Sequence, residues 1–150
     1  MIVRDARRED LPAIVAMLAD DTLGRARERL ADPLPKPYWD AYAAIEADPN
    51  NRLLVAEIDG AVAACLQLTF IPGLSRIGAE RAQIESVRVA SAHRGAGLGR
   101  KLIEAAIAQA REHGSTIVQL TTDKSRADAR RFYESLGFAA SHEGMKLALD

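Results

Sequence analysis

Hydrophobic positions divide the first part of the chain into a strand and two helices. Residues 2 to 6 favour a short strand, and apolar residues then recur at helical spacing from Leu11 to Leu18, directly after Asp10, a residue type that caps helices. The segment from Asp20 to Pro37 is charged and contains three prolines. We therefore expect the next helix to begin only at Tyr38 and to end near Asp48.

An antiparallel hairpin is the clearest prediction for the middle of the chain. Two apolar segments, 53–58 and 61–70, flank Asp59-Gly60, a dipeptide that readily adopts the positive φ angles of a type I′ turn. A loop is expected over 71–76, and β-branched residues predict a further strand over 83–90. The first half of the sheet is therefore predicted to be antiparallel.

Helical and extended patterns alternate in the second half. Glycines follow both helical segments, at positions where left-handed helix caps are common. The predicted elements are a helix over 97–113 ended by Gly114, a strand over 115–120, a helix over 127–136 ended by Gly137, and short strands over 138–141 and 145–149. The order βααβββαβαββ predicts a single α/β domain over residues 1–150, with a mixed sheet of about seven strands and about four helices.

Composition and charge exclude several classes of protein. The 150 residues suit one domain, and 48% hydrophobic with 27% charged residues is too apolar for a disordered chain. A net charge of -1 gives no overall attraction to nucleic acid or to anionic membranes, so neither is expected as a partner. The longest apolar segment, Ala61–Leu66, cannot span a bilayer, and the amino terminus lacks a signal-peptide pattern, so a cytoplasmic location is expected.

Cysteine and histidine give no sign of a metal site. The histidines His93, His113 and His142 lack the spacing of metal ligands, and Cys65 has no second cysteine as a partner. Because Cys65 lies within a predicted strand, we expect an inert buried thiol rather than a nucleophile.

A glycine-rich segment joins the strand over 83–90 to the helix over 97–113. Glycines occupy every second position from Gly95 to Gly99, which lets the backbone approach a ligand closely. The unpaired N–H groups and the dipole of the helix start favour an anion the size of a pyrophosphate. Charge-assisted donors flank the turn at Arg94, Arg100 and Lys101.

Other interpretations of the glycines remain open at this stage. They also suit a tight connection that only lets helix and strand pack closely. A dinucleotide-binding turn would need glycine at Arg100 and an acidic residue near Gln119, and a Walker-type loop would need Gly-Lys-Ser/Thr, so both patterns fail.

Two motifs together resemble the GCN5-related N-acetyltransferases. The segment Arg94-Gly95-Ala96-Gly97-Leu98-Gly99 is similar to the family's Arg/Gln-x-x-Gly-x-Gly/Ala motif, and Val87-Arg88-Val89 is similar to the strand ending that precedes it. Residues 129–138, Ala-Arg-Arg-Phe-Tyr-Glu-Ser-Leu-Gly-Phe, resemble the family's closing helix and strand. The separation of the two motifs and the strand order over all 150 residues also agree with the family.

The resemblance implies acetyl-CoA as co-substrate, with no metal. The pyrophosphate would lie on the turn, and the pantetheine arm would pair like an extra strand in a gap where strands 4 and 5 splay apart. Many relatives have Asn at the position of Arg126, so Asp123 or Thr122 would replace it, or Arg126 would reach a CoA phosphate. The implied coenzyme-binding residues are Val87, Arg88, Val89, Arg94, Gly95, Ala96, Gly97, Leu98, Gly99, Arg100, Lys101, Asp123 and Arg126.

Two residues are candidates for acid–base chemistry. Glu85 lies two residues before Val87, in the strand that would flank the acetyl group, where a carboxylate could deprotonate the amine. Alternatively, it pairs with Arg88 or another cation, or faces solvent. Tyr133 occupies the position at which many relatives place a hydroxyl near the CoA sulfur, although its helical spacing with Phe132 and Leu136 also suits the core.

The acceptor side is less clear from the sequence. The resemblance places the acceptor near the first two helices and the end of the third strand, which suggests Tyr38, Trp39 and Phe70 as contacts; alternatively, such aromatics attach the second helix to the sheet. The resemblance thus implies an N-acetyltransferase in which a small-molecule or protein amine attacks acetyl-CoA directly, and a homodimer is a further expectation. The alternatives are a non-catalytic acyl-CoA sensor and a protein that binds another phosphate compound.

Overall fold

The computed structural model describes all 150 residues, and its centre is a five-stranded sheet in the order β1 to β5. Strands β1 to β4 pair antiparallel with their sequence neighbours, and a long helix connects β4 to β5. The strands are β1 (Ile2–Asp5), β2 (Asn51–Ile58), β3 (Ala61–Ile71), β4 (Arg81–Val89) and β5 (Ile117–Leu120). The mixed α/β class expected from the sequence is confirmed.

Six α-helices accompany the sheet, together with 3₁₀ turns at Arg8–Asp10 and Ser91–His93. None is long and apolar enough to cross a membrane. The chain forms two compact units, Met1–Gln119 and Leu120–Asp150. The helices are α1 (Leu11–Ala19), α2 (Thr22–Arg27), α3 (Lys36–Ala47), α4 (Ser75–Gly78), α5 (Leu98–His113) and α6 (Ala127–Ser135).

The structure has six α-helices rather than the predicted four or so. One reason is that helix caps form in a segment whose composition did not indicate a helix. Charge and prolines suggested no helix between Asp20 and Pro37, yet the Asp21 side chain accepts a hydrogen bond from Gly24 N–H and caps α2. Helix α3 begins at Lys36, earlier than expected, because Pro35 precedes it and Pro37 lies in its first turn, where proline is tolerated.

The two predicted terminal strands are absent, so the sheet has five strands rather than about seven. Residues 138–141 and 145–149 lie outside any strand. Alternating apolar residues form a strand only when a neighbouring strand completes the hydrogen bonds. Neither segment is among the strands of the sheet.

Apolar side chains on the two faces of the sheet pack against different helices. On one face, Ile14 and Met17 of α1 form a cluster with Val55 and Cys65. Helix α5 contributes the fully buried Leu102 and Ile103, and Leu54, Leu66, Leu68 and Ile84 are the large fully buried side chains of the strands. The predicted hairpin turn is confirmed, with φ of 50° at Asp59 and 80° at Gly60.

A buried ion network joins β1 to the start of α1. The Arg4 guanidinium donates to Asp10 Oδ2 at 2.6 Å and to Glu57 Oε2 at 2.8 Å, and Arg7 N–H donates to Asp10 Oδ2 at 2.7 Å. The hydrogen bond from Arg4 is the main cause that lowers the pKa of Asp10. The contact therefore stabilises the fold above the unfolded carboxyl pKa of about 4, and this contribution is lost as pH falls through the lower folded pKa.

We expect Asp10→Ala to lower the free energy of unfolding by about 2 kcal/mol at pH 7, because it leaves Arg4 without one of its buried partners. Urea denaturation at pH 7 and at pH 3 measures the effect, which should shrink at the lower pH. Asp40→Ala is the control, because Asp40 pairs with Lys36 at the surface and should contribute less than about 1 kcal/mol. A loss at pH 3 as large as at pH 7 would contradict the assignment.

Candidate active site

The glycine-rich turn ends in a helix start with exposed backbone donors. Gly95 and Gly97 have φ of 82° and 77°, a left-handed conformation that glycine adopts without strain. The first backbone hydrogen bond of α5 runs from Lys101 N–H to Gly97 O, no side chain caps Gly97, and the first turn contains no acidic residue. The N–H groups of residues 98–100 therefore have no partner within the helix.

The space around these glycines is open. A Cβ atom added at Gly95 or Gly97 would meet no other atom within 4 Å. Close packing of helix against strand is thus not the reason for glycine at these two positions. Backbone conformation and access to the turn are the remaining physical reasons, and both suit an anion site.

Two arginines connect the turn and β4 to the junction of α1 and α2. Arg94 donates from Nε to Val89 O at 3.2 Å and from Nη2 to Asp20 Oδ2 at 3.2 Å. Arg88 Nε lies 3.5 Å from Asp21 Oδ2. Adjacent carboxylates thus pair with both guanidinium groups.

The remaining cations of the turn extend from the first turn of α5. Arg100 lies 3.8 Å from Glu104 one turn later, and Lys101 is exposed. Both are close in sequence to the N–H groups at the helix start, so they add positive charge there. Ala96 is exposed, whereas Leu98 is buried and attaches the helix start to the core.

A β-bulge at Ser86 sets the direction of the side chains in β4. Gln67 pairs with Glu85 and Cys65 pairs with Arg88, so two residues of β4 oppose Leu66. Ser86 has φ of 55°. Because side chains alternate along a strand, the extra residue brings Glu85 and Arg88 to the same face, which a regular strand would not do.

Glu85 is exposed and held by neutral amides. Gln83 Nε2 donates to Glu85 Oε1, and Gln119 Nε2 donates to Gln83 Oε1 at 2.8 Å. Arg88 instead contacts Asp21 and the Val87 carbonyl. Glu85 is therefore exposed and does not pair with Arg88.

Polar side chains of β2 and β3 extend this surface, and the sequence analysis did not identify them. Asn51 Oδ1 accepts from Gln67 Nε2 at 2.9 Å and from Thr69 Oγ1 at 2.7 Å. Gln67 pairs with Glu85 across the sheet, and Thr69 pairs with Gln83. The signal that could have revealed them is the alternation of polar residues in β3 and β4. We call Asn51, Gln67, Thr69, Gln83, Glu85 and Gln119 the polar strip.

The carboxyl-terminal half of β4 extends past its neighbour β5. Thr116 N–H donates to Glu80 O at 3.1 Å, and β5 ends four residues later at Leu120. Residues beyond Glu85 therefore lie past the end of that strand. Beyond that point no further strand of the sheet lies beside β4 on this side. On the other side Arg88 and Val89 pair with β3, whereas Val87 belongs to the bulge.

The unit Leu120–Asp150 contains the other candidate residues. Tyr133 is half-buried in α6 and makes edge-on ring contacts with Phe132 and Phe138. Asp123 accepts from Ser125 N–H and Oγ, and its carbonyl accepts from Arg126 N–H, so these residues form the turn before α6. Gly137 has φ of 96°, as expected for a left-handed cap.

The aromatic residues predicted for the acceptor do not meet at Glu85. Tyr38 and Trp39 pack on the cluster of Leu11, Val15, Leu34 and Tyr42, and the Tyr38 hydroxyl donates to Glu28. Phe70 is buried and stacks on His113, at a cavity of about 640 Å³ beside the end of α5. Phe70 is three positions after Gln67, the partner of Glu85, so its side chain points to the opposite face of the sheet.

Cys65 is buried beneath the bulge, where its thiol lies 3.8 Å from the Ser86 carbonyl. Burial raises the pKa of this thiol to about 12. The thiol is therefore almost entirely protonated at neutral pH and is a poor nucleophile. No group of three or more side chains in the structure is arranged to hold a metal ion.

Known proteins share both the sequence pattern and the fold. An aminoalkylphosphonate N-acetyltransferase of Salmonella typhimurium is 28% identical over 144 residues, which cover 93% of this chain and 86% of that protein. A solved structure described as a transcriptional regulator from Bacillus halodurans C-125 is 51% identical, with a TM-score of 0.96 over 99% of both chains. An acetyltransferase of Trypanosoma brucei is 27% identical, with a TM-score of 0.78 over 99% of both chains.

The match to a family model covers most of the chain. The model of the acetyltransferase (GNAT) family matches residues 13–138, which include the glycine-rich turn, the polar strip and α6. The resemblance found in the two sequence motifs is thereby confirmed. The chain belongs to the acetyltransferase (GNAT) family.

Proposed function

We propose that this acetyltransferase moves an acetyl group from acetyl-CoA to a primary amine, which attacks the thioester directly while both substrates are bound. The observation that carries the proposal is the open turn at Gly95–Gly97, with its exposed N–H groups, beside the available edge of β4. An anion site next to an unpaired strand edge suits a ligand with a diphosphate and an extended amide-containing arm.

The residues present fit such a coenzyme. The diphosphate would accept hydrogen bonds from the N–H groups of residues 95–100, with Arg94, Arg100 and Lys101 adding charge. The amides of the pantetheine arm would pair with the backbone of Val87, Arg88 and Val89. Asp123 and Arg126 remain candidates for further contacts to the arm or to a phosphate.

Glu85 would act as the base. The neutral form of the amine is the nucleophile, and its nitrogen must lose a proton as it bonds to the thioester carbon. The carboxylate of Glu85 is exposed on the same strand that would bind the arm. As the amine nitrogen bonds to the thioester carbon, the carboxylate accepts the amine proton, directly or through water, and the carbon–sulfur bond breaks. The N–H of Val87 or Val89 would donate to the carbonyl oxygen as it gains negative charge.

Tyr133 would donate its hydroxyl proton to the departing thiolate, which completes the proton balance. Ring contacts with Phe132 and Phe138 hold its aromatic ring, which supports a positioned hydroxyl. Tyr133→Phe retains those contacts and should lower kcat with little change in KM for acetyl-CoA. An unchanged kcat would leave Tyr133 with a packing role only.

The acceptor would lie along the polar strip rather than against the predicted aromatics. Amide and hydroxyl groups from four strands lie there with Glu85, and such groups recognise a polar amine by hydrogen bonding. The relative from Salmonella, whose name specifies aminoalkylphosphonates, makes those amines the first acceptors to test. Amino sugars and peptide amines are further acceptors of the same polar class.

Two measurements test the proposal. Acetyl-CoA at 100 times its Kd should stabilise the fold by about 2.7 kcal/mol in thermal unfolding, whereas NADH and ATP should not. Release of free thiol from acetyl-CoA should then increase with at least one amine of a panel that includes aminoalkylphosphonates, amino sugars and peptides. Equal stabilisation by all three nucleotides would contradict a coenzyme A site.

A second candidate function is an acyl-CoA sensor without turnover. It is favoured by the 51% identical structure described as a transcriptional regulator. The net charge of -1 provides no general attraction to DNA, so such a role would require a protein partner or local contacts. Binding of acetyl-CoA without thiol release for any amine, together with an unaltered Glu85→Gln variant, would favour the sensor.

A further inference from the structure

Two glutamine side chains connect the carboxylate of Glu85 to the neighbouring strand. Gln119 Nε2 of β5 donates to Gln83 Oε1 at 2.8 Å, and Gln83 Nε2 donates to Glu85 Oε1. Gln83 and Glu85 are two residues apart in β4, so their side chains lie on the same face of the sheet. Both glutamines are half-buried, whereas Glu85 is exposed. We call Gln83 and Gln119 the amide pair.

The carboxylate determines the direction of both hydrogen bonds. An ionised glutamate only accepts hydrogen bonds, so the amide group of Gln83 must turn its nitrogen towards Glu85. The oxygen of the same amide then faces Gln119, which presents its own nitrogen. A reversed Gln83 amide would place oxygen against oxygen at one end and nitrogen against nitrogen at the other. Gln119 therefore favours the orientation in which Gln83 donates to Glu85.

The amide pair limits the freedom of Glu85 without neutralising it. Gln83 provides the one hydrogen bond that the protein donates to this carboxylate, and a glutamate side chain at the surface otherwise samples many rotamers. The bond occupies Oε1, so Oε2 can accept a proton. A cation in place of Gln83 would compete with an amine for the carboxylate, whereas a neutral amide does not. Arg88 of the same strand contacts Asp21 instead.

We propose that Gln83 is a positioning residue for acetyl transfer and that Gln119 acts through it. The inference rests on the proposed function, in which Glu85 is the base. Gln83 holds the carboxylate in one orientation with Oε2 available to the amine, and Gln119 prevents the Gln83 amide from reversing. A misplacement of about 1 Å can cost about 10²-fold in rate, so loss of this restraint should lower kcat.

Thiol release from acetyl-CoA with the best acceptor amine tests this role. Gln83→Leu removes both hydrogen bonds and should lower kcat by about tenfold or more, with an unchanged Kd for acetyl-CoA. Gln119→Glu keeps the size of the side chain and should also lower kcat, because a carboxylate there attracts the Gln83 nitrogen away from Glu85. Gln109→Leu is the control and should leave kcat unchanged, since Gln109 of α5 bonds to Arg52 and lies outside the polar strip.

A double variant separates positioning from direct contact with the acceptor. If Gln83 acts only through Glu85, adding Gln83→Leu to Glu85→Gln should lower kcat no further, because the two substitutions remove one shared function. Side-chain NH₂ resonances give a measurement that does not depend on turnover. Removal of the charge by Glu85→Gln should shift the resonances of Gln83 and Gln119 and leave that of Gln109 unchanged.

The possible outcomes distinguish this role from the proposed function. The positioning role alone is overturned if Glu85→Gln lowers kcat but Gln83→Leu does not, or if the two losses multiply in the double variant. It is also overturned if the Gln83 resonances do not respond to Glu85→Gln, because the hydrogen bond is then absent in solution. A wild type that releases no thiol with any amine would overturn the proposed function, and the positioning role with it.

Discussion

Glu85→Gln is expected to lower kcat for amine acetylation by about 10²–10⁴-fold, the usual contribution of a general base. Glutamine keeps the size of the side chain and can still hydrogen-bond to Gln83, but it cannot accept a proton from the amine. The Kd for acetyl-CoA should stay within about twofold of the wild type, because Glu85 lies outside the proposed phosphate and pantetheine contacts. Steady-state thiol release and calorimetric titration measure the two quantities.

The control for this substitution is Glu9→Gln. Glu9 is exposed near the start of α1, so its replacement removes a carboxylate with no expected effect on kcat. If Glu85→Gln retains most of the wild-type rate with the best acceptor, another group or solvent accepts the proton. A parallel loss of acetyl-CoA affinity would instead show that Glu85 supports the coenzyme site.

Gly97→Ala is expected to weaken acetyl-CoA binding by about tenfold or more. The new Cβ would project into the open space at the start of α5, where the diphosphate is proposed to lie, and the left-handed φ of 77° would favour a changed turn. A tenfold loss corresponds to about 1.4 kcal/mol of binding free energy. Calorimetric titration with acetyl-CoA gives the affinity, and urea unfolding gives the accompanying loss of stability.

Gly114→Ala provides a matched control at the other end of the same helix. Gly114 also has a left-handed φ, of 101°, and a Cβ added there would likewise meet nothing within 4 Å. Both variants should therefore lose a similar free energy of unfolding, on the order of 1 kcal/mol. Only Gly97→Ala should lose coenzyme affinity. Equal losses of affinity in the two variants would mean that backbone strain, rather than blocked access, is responsible.

Much of the fold was predictable because it depends on interactions between residues that are close in the sequence. The turn at Asp59-Gly60, the extent of α5 and its Gly114 cap depend on residues within a few positions of each other. The glycine-rich turn is equally local, so its candidate role was also accessible from the sequence. The cap of helix α2 also depends on neighbouring residues, since Asp21 accepts from Gly24 N–H. The charges and prolines of this segment nevertheless led to the prediction that it contains no helix.

The rest of the site depends on pairing between distant segments. The bulge at Ser86 exists only in the register of β4 with β3, and no glycine marks it. That register decides that Glu85 lies beside Gln67 in the polar strip and that Phe70 lies on the opposite face, against His113 of α5. The contact of Arg94 with Asp20 joins residues 74 positions apart, which no local pattern reveals. The two short strands predicted over 138–141 and 145–149 are not formed, since pairing with a neighbouring strand is likewise not visible in a local pattern.

The ion pair between Arg94 and Asp20 affects how the proposed binding of acetyl-CoA depends on salt concentration. Because the guanidinium already has an anionic neighbour at 3.2 Å, an arriving phosphate competes with that carboxylate for it. Added electrolyte screens the attraction of the incoming anion, but it also screens the competitor at this half-exposed position. The two effects oppose each other. The dissociation constant for acetyl-CoA should therefore rise less steeply with ionic strength than it would if Arg94, Arg100 and Lys101 had no anionic neighbours.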